Sequence, residues 1–562
     1  MFNNLGKLKY KISKNIFKIN ILNLSEGINN LDNYIILKKN KDLTVFNRIC
    51  DHAGGKIITK DKKFYCPIHN WQFNPETGKY NNGYKKEPTK YYLKENYLII
   101  NDLISEPNIG RKSSKHDKTN IRFFNHAFLK ISGHNFSFCI DPWAIGPAFH
   151  TGWWLKNKTK DDWVEEVNKS DFIYISHNHP DHLHGLTLSK VSKEIPIVVP
   201  NFTTDSAGKF CEQLGFKNVI RFDFQDVINF KNSNLLFSIL KSGDFREDSG
   251  IYFSNNNFSA LIDVDSNMIN FERLPKVDLY ASSFAGGASG YPIMFENYNQ
   301  IEKKRIILKK NNFLKKKKED FIKKLKPKYF FPYASFFEEK LIRDKNVKLN
   351  NKKNSINDYK ILCDRNKIFL MDINKFDNYF FYKNDLIKKS FVNRNYFNDI
   401  KENDYLEYFK KNYRSIDDNL IKEYFINSKF KDNLKLLLVL TDDEFRKTKK
   451  IYEINFSHKK IRFKIIKSFN LKLIKDTDKI KRLVIKVRSE SLINTIINKL
   501  PWEDLMIGFQ CKIFRKPNLY NYKFWHHFTN IYTTDKNVRV SMECYKCDVL
   551  GNYFDSLIVK NI

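Results

Sequence analysis

The stretch 171–188, DFIYISHNHPDHLHGLTL, runs an apolar strand, Phe172 to Ile175, straight into His177, His179, Asp181 and His182. Along an extended segment residues two apart point the same way, so His177 and His179 share one side. The turn at Pro180 then brings Asp181 and His182 round to a neighbouring position. Ligand-type side chains gathered this closely at the end of an apolar strand read as a metal centre, and the same four residues are the candidate catalytic set.

Outward from this motif, strand-like runs alternate with helical stretches from about 121 to 345, among them IPIVVP, NVIRFDF, LLFSIL and IYFSNNNFSALIDVD. That alternation predicts a layered α/β domain. The motif, with the hairpin NHAFLKISGHNFSFCIDPW at 125–143 before it, resembles the metallo-β-lactamase fold, and the resemblance implies an αββα domain with His126 and Asp141 at characteristic places. Read singly, His126, His134 and His150 are structural residues. There is no histidine between His184 and His458, so the third ligand motif of that fold's hydrolases is missing, which argues against hydrolysis. A bridging acid is available from LIDVDSN as Asp263 or Asp265, and the sequence does not choose between them. Two histidines and a carboxylate resemble the facial triad that holds non-haem iron and leaves positions open for dioxygen.

A second constellation lies upstream. CDHAGGK at 50–56 and CPIHNWQFNPETGKY at 66–80 give Cys50-x-His52 and Cys66-x-x-His69, each pair after a β-type run. Zinc fingers pair Cys with Cys and His with His. Here each loop carries one of each, as suits a 2Fe–2S cluster with two thiolates on one iron and two imidazoles on the other. Gly54, Gly55 and Gly78 allow tight loops and Pro67 stiffens the second. The run from Cys66 to Gly78 resembles the Rieske ferredoxin domain, with Asn70 where many members have glycine. No other cysteine precedes Cys139, so the loop-tying disulfide of respiratory-chain Rieske proteins is absent. The resemblance therefore implies a cluster of the lower-potential, oxygenase-associated kind.

Composition sets the frame. The 562 residues suffice for several domains, and the eight scattered cysteines form no disulfide framework, as in a reducing compartment. Without an apolar leader or a long apolar run, the expectation is a cytoplasmic protein that meets no membrane. The +35 net charge accompanies abundant Lys, Asn, Ile, Phe and Tyr, the residues of AT-rich codons. Lysine runs such as LKKNNFLKKKKED at 308–320 read as one solvated helix face, with no nucleic-acid-binding motif beside them. No nucleic-acid partner is expected, and the basic surface suits an anionic substrate.

The expected fold class is multidomain: an N-terminal all-β Rieske sandwich at 1–105, a central α/β metallo-β-lactamase-like (αββα) domain at 121–345, an Asn/Lys-rich connecting region at 346–430, and a C-terminal α+β segment at 431–562. This pairing, with DLYASSFAGGASGYPIMFE (278–296), KPKYFFPYASFFEE (326–339) and LPWEDLMIGFQCKIFRKPNLYNYKFWHHF (500–528), resembles the CMP-N-acetylneuraminate hydroxylase family. The resemblance implies a monooxygenase that converts the N-acetyl group of an anionic nucleotide-sugar, CMP-N-acetylneuraminate, to N-glycolyl. Dioxygen is then the co-substrate at mono- or dinuclear non-haem iron. NADH-derived electrons arrive through a separate reductase and a small carrier, a b-type cytochrome or ferredoxin, and pass through the Rieske cluster. The loop with Gly286, Gly287, Ser289 and Gly290 offers backbone N–H groups to the substrate phosphate, or is a plain turn. Cys544 and Cys547 read as incidental, and His526 and His527 as core residues, one of which could complete the metal site. The rival readings are a phosphodiesterase- or lactonase-type hydrolase with a redox-sensing Rieske domain, and an electron carrier with no substrate of its own.

Overall fold

A computed structural model of the chain describes residues 1–7, 17–51, 56–66, 71–81, 85–100, 118–202, 204–242, 247–266, 269, 277–457, 460–470 and 480–531. The central unit is built on two eight-stranded mixed sheets. One runs in spatial order Phe2–Lys7, Asp226–Phe230, Leu235–Lys241, Ser249–Asn255, Phe258–Ile262, Leu279–Ser283, Tyr329–Tyr333 and Phe369–Leu370. The other runs Val219–Phe222, Ile197–Pro200, Phe172–Tyr174, Phe136–Ile140, Phe128–Gly133, Lys118–Asn125, Asn378–Tyr382 and Asp385–Ser390.

Strand periodicity explains how the sheets stack. Phe123, Phe172, Tyr174 and Val198 share one core with Phe237, Phe253, Leu261 and Phe331 of the opposite sheet. Their sequence neighbours Phe124, Ile173, Ile197 and Val199 face the other way, onto Trp163, Leu188 and Cys211 of the outer helices. Alternate residues thus fill two cores on either side of one sheet. Opposite, the helix Gln300–Leu325 begins at a capping box of Asn299 and Glu302 and buries Ile306, Phe321, Ile322 and Leu325. Most of its lysines are exposed or half-buried, but Lys318 is fully buried and pairs with Asp263 at 3.3 Å, so the lysine run is not wholly a solvated face.

Two expected boundaries change. The strand Phe2–Lys7, assigned from sequence to the N-terminal sandwich, pairs antiparallel with Asp226–Phe230 in the central sheet. The region 346–430 is not a connector: Phe369–Leu370, Asn378–Tyr382 and Asp385–Ser390 complete both central sheets, and Ile421 and Phe425 enter the C-terminal core. Its Asn- and Lys-rich composition hid these strands because Phe369–Leu370 and Asp385–Ser390 lie at sheet edges, where outward positions are polar, and Asn378–Tyr382 buries only alternate residues.

The N-terminal unit has three small antiparallel sheets, of three, four and three strands, between Phe17 and Ile100. The C-terminal unit is a five-stranded sheet in which Leu434–Thr441 pairs antiparallel with Thr448–Asn455 and parallel with Lys481–Arg488. It docks on the central unit by backbone contact: a Cβ on Gly152 would lie 2.0 Å from the carbonyl oxygen of Gly508, and one on Gly508 would lie 2.5 Å from that of Phe149. Gly508→Ala is expected to destabilise the protein by about 1–3 kcal/mol, the usual range for overpacking. An unchanged urea midpoint would show that the approach is not this close.

Candidate metal centre

The strand Phe172–Tyr174 ends against the neighbouring strand Phe136–Ile140, whose exit residue, Asp141, organises the histidine motif. Asp141 sits in the left-handed region at φ 44°, as does His126 at φ 39°, and non-glycine residues are held so only where the surroundings compel it. The Asp141 carboxylate accepts from Ser176 N (2.7 Å) and Oγ (2.6 Å) and lies 2.9 Å from His182 Nδ1. Ser176 Oγ lies 2.9 Å from His177 Nδ1. One buried carboxylate and one hydroxyl therefore fix two rings and direct the Nε2 atoms inward, the outer-shell arrangement of metal-binding histidines.

The inward atoms form two groups, His126 with Asp181 and His182, and His177 with His179 and Asp265, each with donor atoms within 4.8 Å of one another. His126 Nε2 lies 3.0 Å from Asp181 Oδ2, His177 Nε2 2.9 Å from His179 Nδ1, and His182 Nε2 3.6 Å from Asp265 Oδ2. His182 Nε2 lies 3.2 Å from Asp181 Oδ2, and Asp181 Oδ1 is buried with no hydrogen-bond partner among the described residues.

Electrostatics agree with a cation here. Burial alone would raise Asp181, yet His182 and His126 hold it well below the usual carboxylate range. Burial would lower His182, yet Asp181 and Asp141 push it well above an ordinary imidazole. His179 is raised to about 9 against the effect of burial, chiefly by Glu503, 4.0 Å from its Nε2. The site thus holds positive charge as protons, which a divalent cation would replace. With an orphaned carboxylate oxygen, and with nitrogen and oxygen ligands on two adjacent sites, the residues fit one or two iron ions.

All four motif residues, His177, His179, Asp181 and His182, come together. Of the two acids left open, Asp265 reaches the histidines and Asp263 does not: Val264 between them is left-handed (φ 53°) and turns the chain. Asp263 stays beneath the sheet, accepting from Tyr280 Oη at 2.6 Å and pairing with Lys318. His126 is no structural bystander, because its turn aims it at Asp181. His150 and His184 are structural: the first lies 2.9 Å from Asn494 Nδ2, the second contacts Thr187 and Pro147, and burial lowers them to about 3 and about 4.

Sequence reasoning gave the C-terminal segment no firm role at the centre, and the structure puts its residues at the mouth. Glu503, Tyr520, Trp525 and His526 line a cavity of about 40 Å³ with His179, Glu247 and Asp248. Burial lowers His526 to about 4, and His527 turns away, its Nε2 2.9 Å from the Ser428 carbonyl. The glycine loop is not at this mouth. Gly286 and Gly287 have positive φ against Asn311 and Asn351, Ser289 Oγ accepts from Lys310, and Gly290 backs onto Met506. Ser335 Oγ takes the Phe284 and Ala285 N–H groups just before the loop.

In the N-terminal unit Cys50 and Cys66 are both buried, in one cluster with Phe46, Phe73 and Tyr80. Lys86 Nζ donates to Ile49 O at 2.5 Å and Tyr80 Oη to Asp51 at 2.8 Å, bracing the first loop. Cys66 N–H donates to Trp71 O at 2.9 Å at the base of the second. His52 and His69, with Gly54, Gly55, Pro67 and Asn70, lie outside the described residues, as do His458, Cys544 and Cys547. Two buried thiols in one cluster fit the thiolate half of a 2Fe–2S site.

Residues 25–93 match the family model of the Rieske [2Fe-2S] domain. The chain is similar to "Cytidine monophosphate-N-acetylneuraminic acid hydroxylase" of Macaca mulatta, 28% identical with 94% of this chain and 95% of the relative covered. The protein of the same name from Pongo pygmaeus is 29% identical, with 91% and 93% covered. Among solved structures, CmlA, a diiron beta-hydroxylase from Streptomyces venezuelae, aligns over 48% of this chain and 55% of its own at 13% identity and a TM-score of 0.33. No helix among the described residues is long and apolar enough to cross a membrane.

Proposed function

We propose that this chain, similar over nearly its full length to CMP-N-acetylneuraminic acid hydroxylases and carrying a Rieske domain ahead of a histidine-rich centre, is an iron-dependent monooxygenase acting on a CMP-linked N-acetylated sialic acid. The observation that supports the reading is the pair of donor groups, His126 with Asp181 and His182 and His177 with His179 and Asp265, of which His179 reaches a cavity lined by the C-terminal unit. Cys50, His52, Cys66 and His69 would hold the 2Fe–2S cluster. Iron at the centre supplies dioxygen activation, and the Rieske cluster supplies electrons singly.

The chain's own residues do the rest. Asp141 and Ser176 orient His182 and His177, and Glu503 faces the outer nitrogen of His179. Tyr520, Trp525 and Pro501 narrow the mouth and exclude water from the reacting methyl group. In the net reaction one oxygen atom enters a C–H bond of the acetyl methyl and the other leaves as water. Two electrons and two protons are consumed, and the electrons derive from NADH through a reductase and a small carrier protein.

The test is incubation with reductant, ¹⁸O₂ and CMP-N-acetylneuraminate, read by mass spectrometry. One labelled oxygen in the sugar is expected; hydrolysis products without oxygen incorporation would overturn the reading in favour of a hydrolase. The two acids provide a sharper check. Asp265→Asn is expected to lower iron content by about 10-fold or more, the scale of lost ligand-shell contacts. Asp263→Asn should leave iron bound but destabilise the fold by about 3–5 kcal/mol, because it strands a buried lysine. The reverse pattern would exchange the two roles.

A further inference from the structure

A second cavity, of about 560 Å³, opens where the central and C-terminal units meet. The start of the helix Gln300–Leu325, the segment Ile342–Asn350, the turn 444–446 and the strands ending at Arg488 and holding Lys512 surround it. It shares no lining residue with the metal mouth. Between them stands an apolar layer of Phe149, Trp153, Met294, Val347 and Ile507.

Its charges do not balance. Of the acids on the wall, Asp344 is held by Arg488 at 2.7 Å, Glu296 by Lys486 at 2.8 Å, and Glu444 faces Arg446 at 3.9 Å. Arg343 is taken up by Asp443. Lys303, Lys304 and Lys512 remain without a carboxylate within ion-pair distance among the described residues, and Lys303 has only the Ile293 carbonyl, at 2.8 Å. Burial and then Lys512 lower Lys303; burial, with Lys486 and Arg488, lowers Lys512 against the opposing pull of Glu296 and Glu444. A chain with +35 net charge has cations everywhere, but exposed ones, Lys304 at the rim among them, are solvated; Lys303 and Lys512 are half-buried in a concavity where the charged form is penalised.

We propose that this cavity binds a small, multiply charged phosphate-bearing anion at a site separate from the metal mouth. Two half-buried ammonium groups, Lys303 and Lys512, with Lys304 exposed at the rim, present positive charge to such an anion, each serving as a point-charge donor to its oxygens. The volume accommodates a diphosphate or a compact phosphorylated metabolite. The proposal stands whether or not the metal centre is a hydroxylase.

The test is calorimetric titration of the full chain with inorganic pyrophosphate. Lys303→Met with Lys512→Met is expected to weaken binding at least 10-fold. Lys316→Met with Lys317→Met, on the same helix but outside the cavity, should change it less than twofold. No binding, or equal losses in the two pairs, would overturn the site. With the unmodified protein, pyrophosphate should also slow acetylation of Lys303 and Lys512, read by peptide mass spectrometry, and leave Lys316 unaffected; absence of that protection would overturn the site without any variant having to fold.

Discussion

Hydroxylation of the CMP-linked sugar falls by more than about 100-fold in His177→Ala, while the reduced protein keeps its Rieske-type electron paramagnetic resonance signal: this is the first expected result. His177 Nε2 lies 2.9 Å from His179 Nδ1, at the heart of the donor group, and Ser176 fixes its other nitrogen. Alanine would remove a proposed ligand without touching the cysteine loops of the N-terminal unit. Hydroxylation that survives in full would mean that the histidine cluster is not the reaction centre. Loss of the cluster signal together with activity would mean that the substitution acts through folding.

Cys66→Ala is expected to do the converse. The thiol is buried in one cluster with Cys50, and under the proposed ligation its loss would leave one iron with a single thiolate, so the cluster should not form. The red-brown colour and the resonance signal should vanish, multiple-turnover hydroxylation should stop, and iron at the histidine centre should remain near wild-type content. A variant that keeps full turnover with its natural donor would refute the relay from residues 50–69 to residues 177–182.

Local pattern and spatial closure divide what the sequence discloses. The motif 177–182 is legible because all its ligands lie on one strand exit, and Cys50 and Cys66 because each follows a strand. Asp263 and Asp265 are two apart, so strand parity puts them on one face; the strand ends at Ile262 and the left-handed Val264 breaks the parity. Nothing in the residue names announces that turn. His126 is hidden for the same reason, since its role depends on φ 39° in a hairpin turn. Glu503 and Trp525 reach the mouth from more than 300 residues along the chain, through the contact of two glycines that looks like ordinary loop composition. The strands near 369–390 are masked by polar outward faces.

The strand Phe2–Lys7 changes how the electron donor is tied to its target. The chain leaves the central sheet at Lys7, forms the Rieske unit from Phe17 to Ile100, and re-enters the central unit at Lys118. The unit is therefore an insertion, joined to the central unit in the sequence on both of its sides. Carrying donor and target on one chain makes delivery from cluster to centre intramolecular, so dilution cannot lower it. Dilution starves only the encounter with the external carrier.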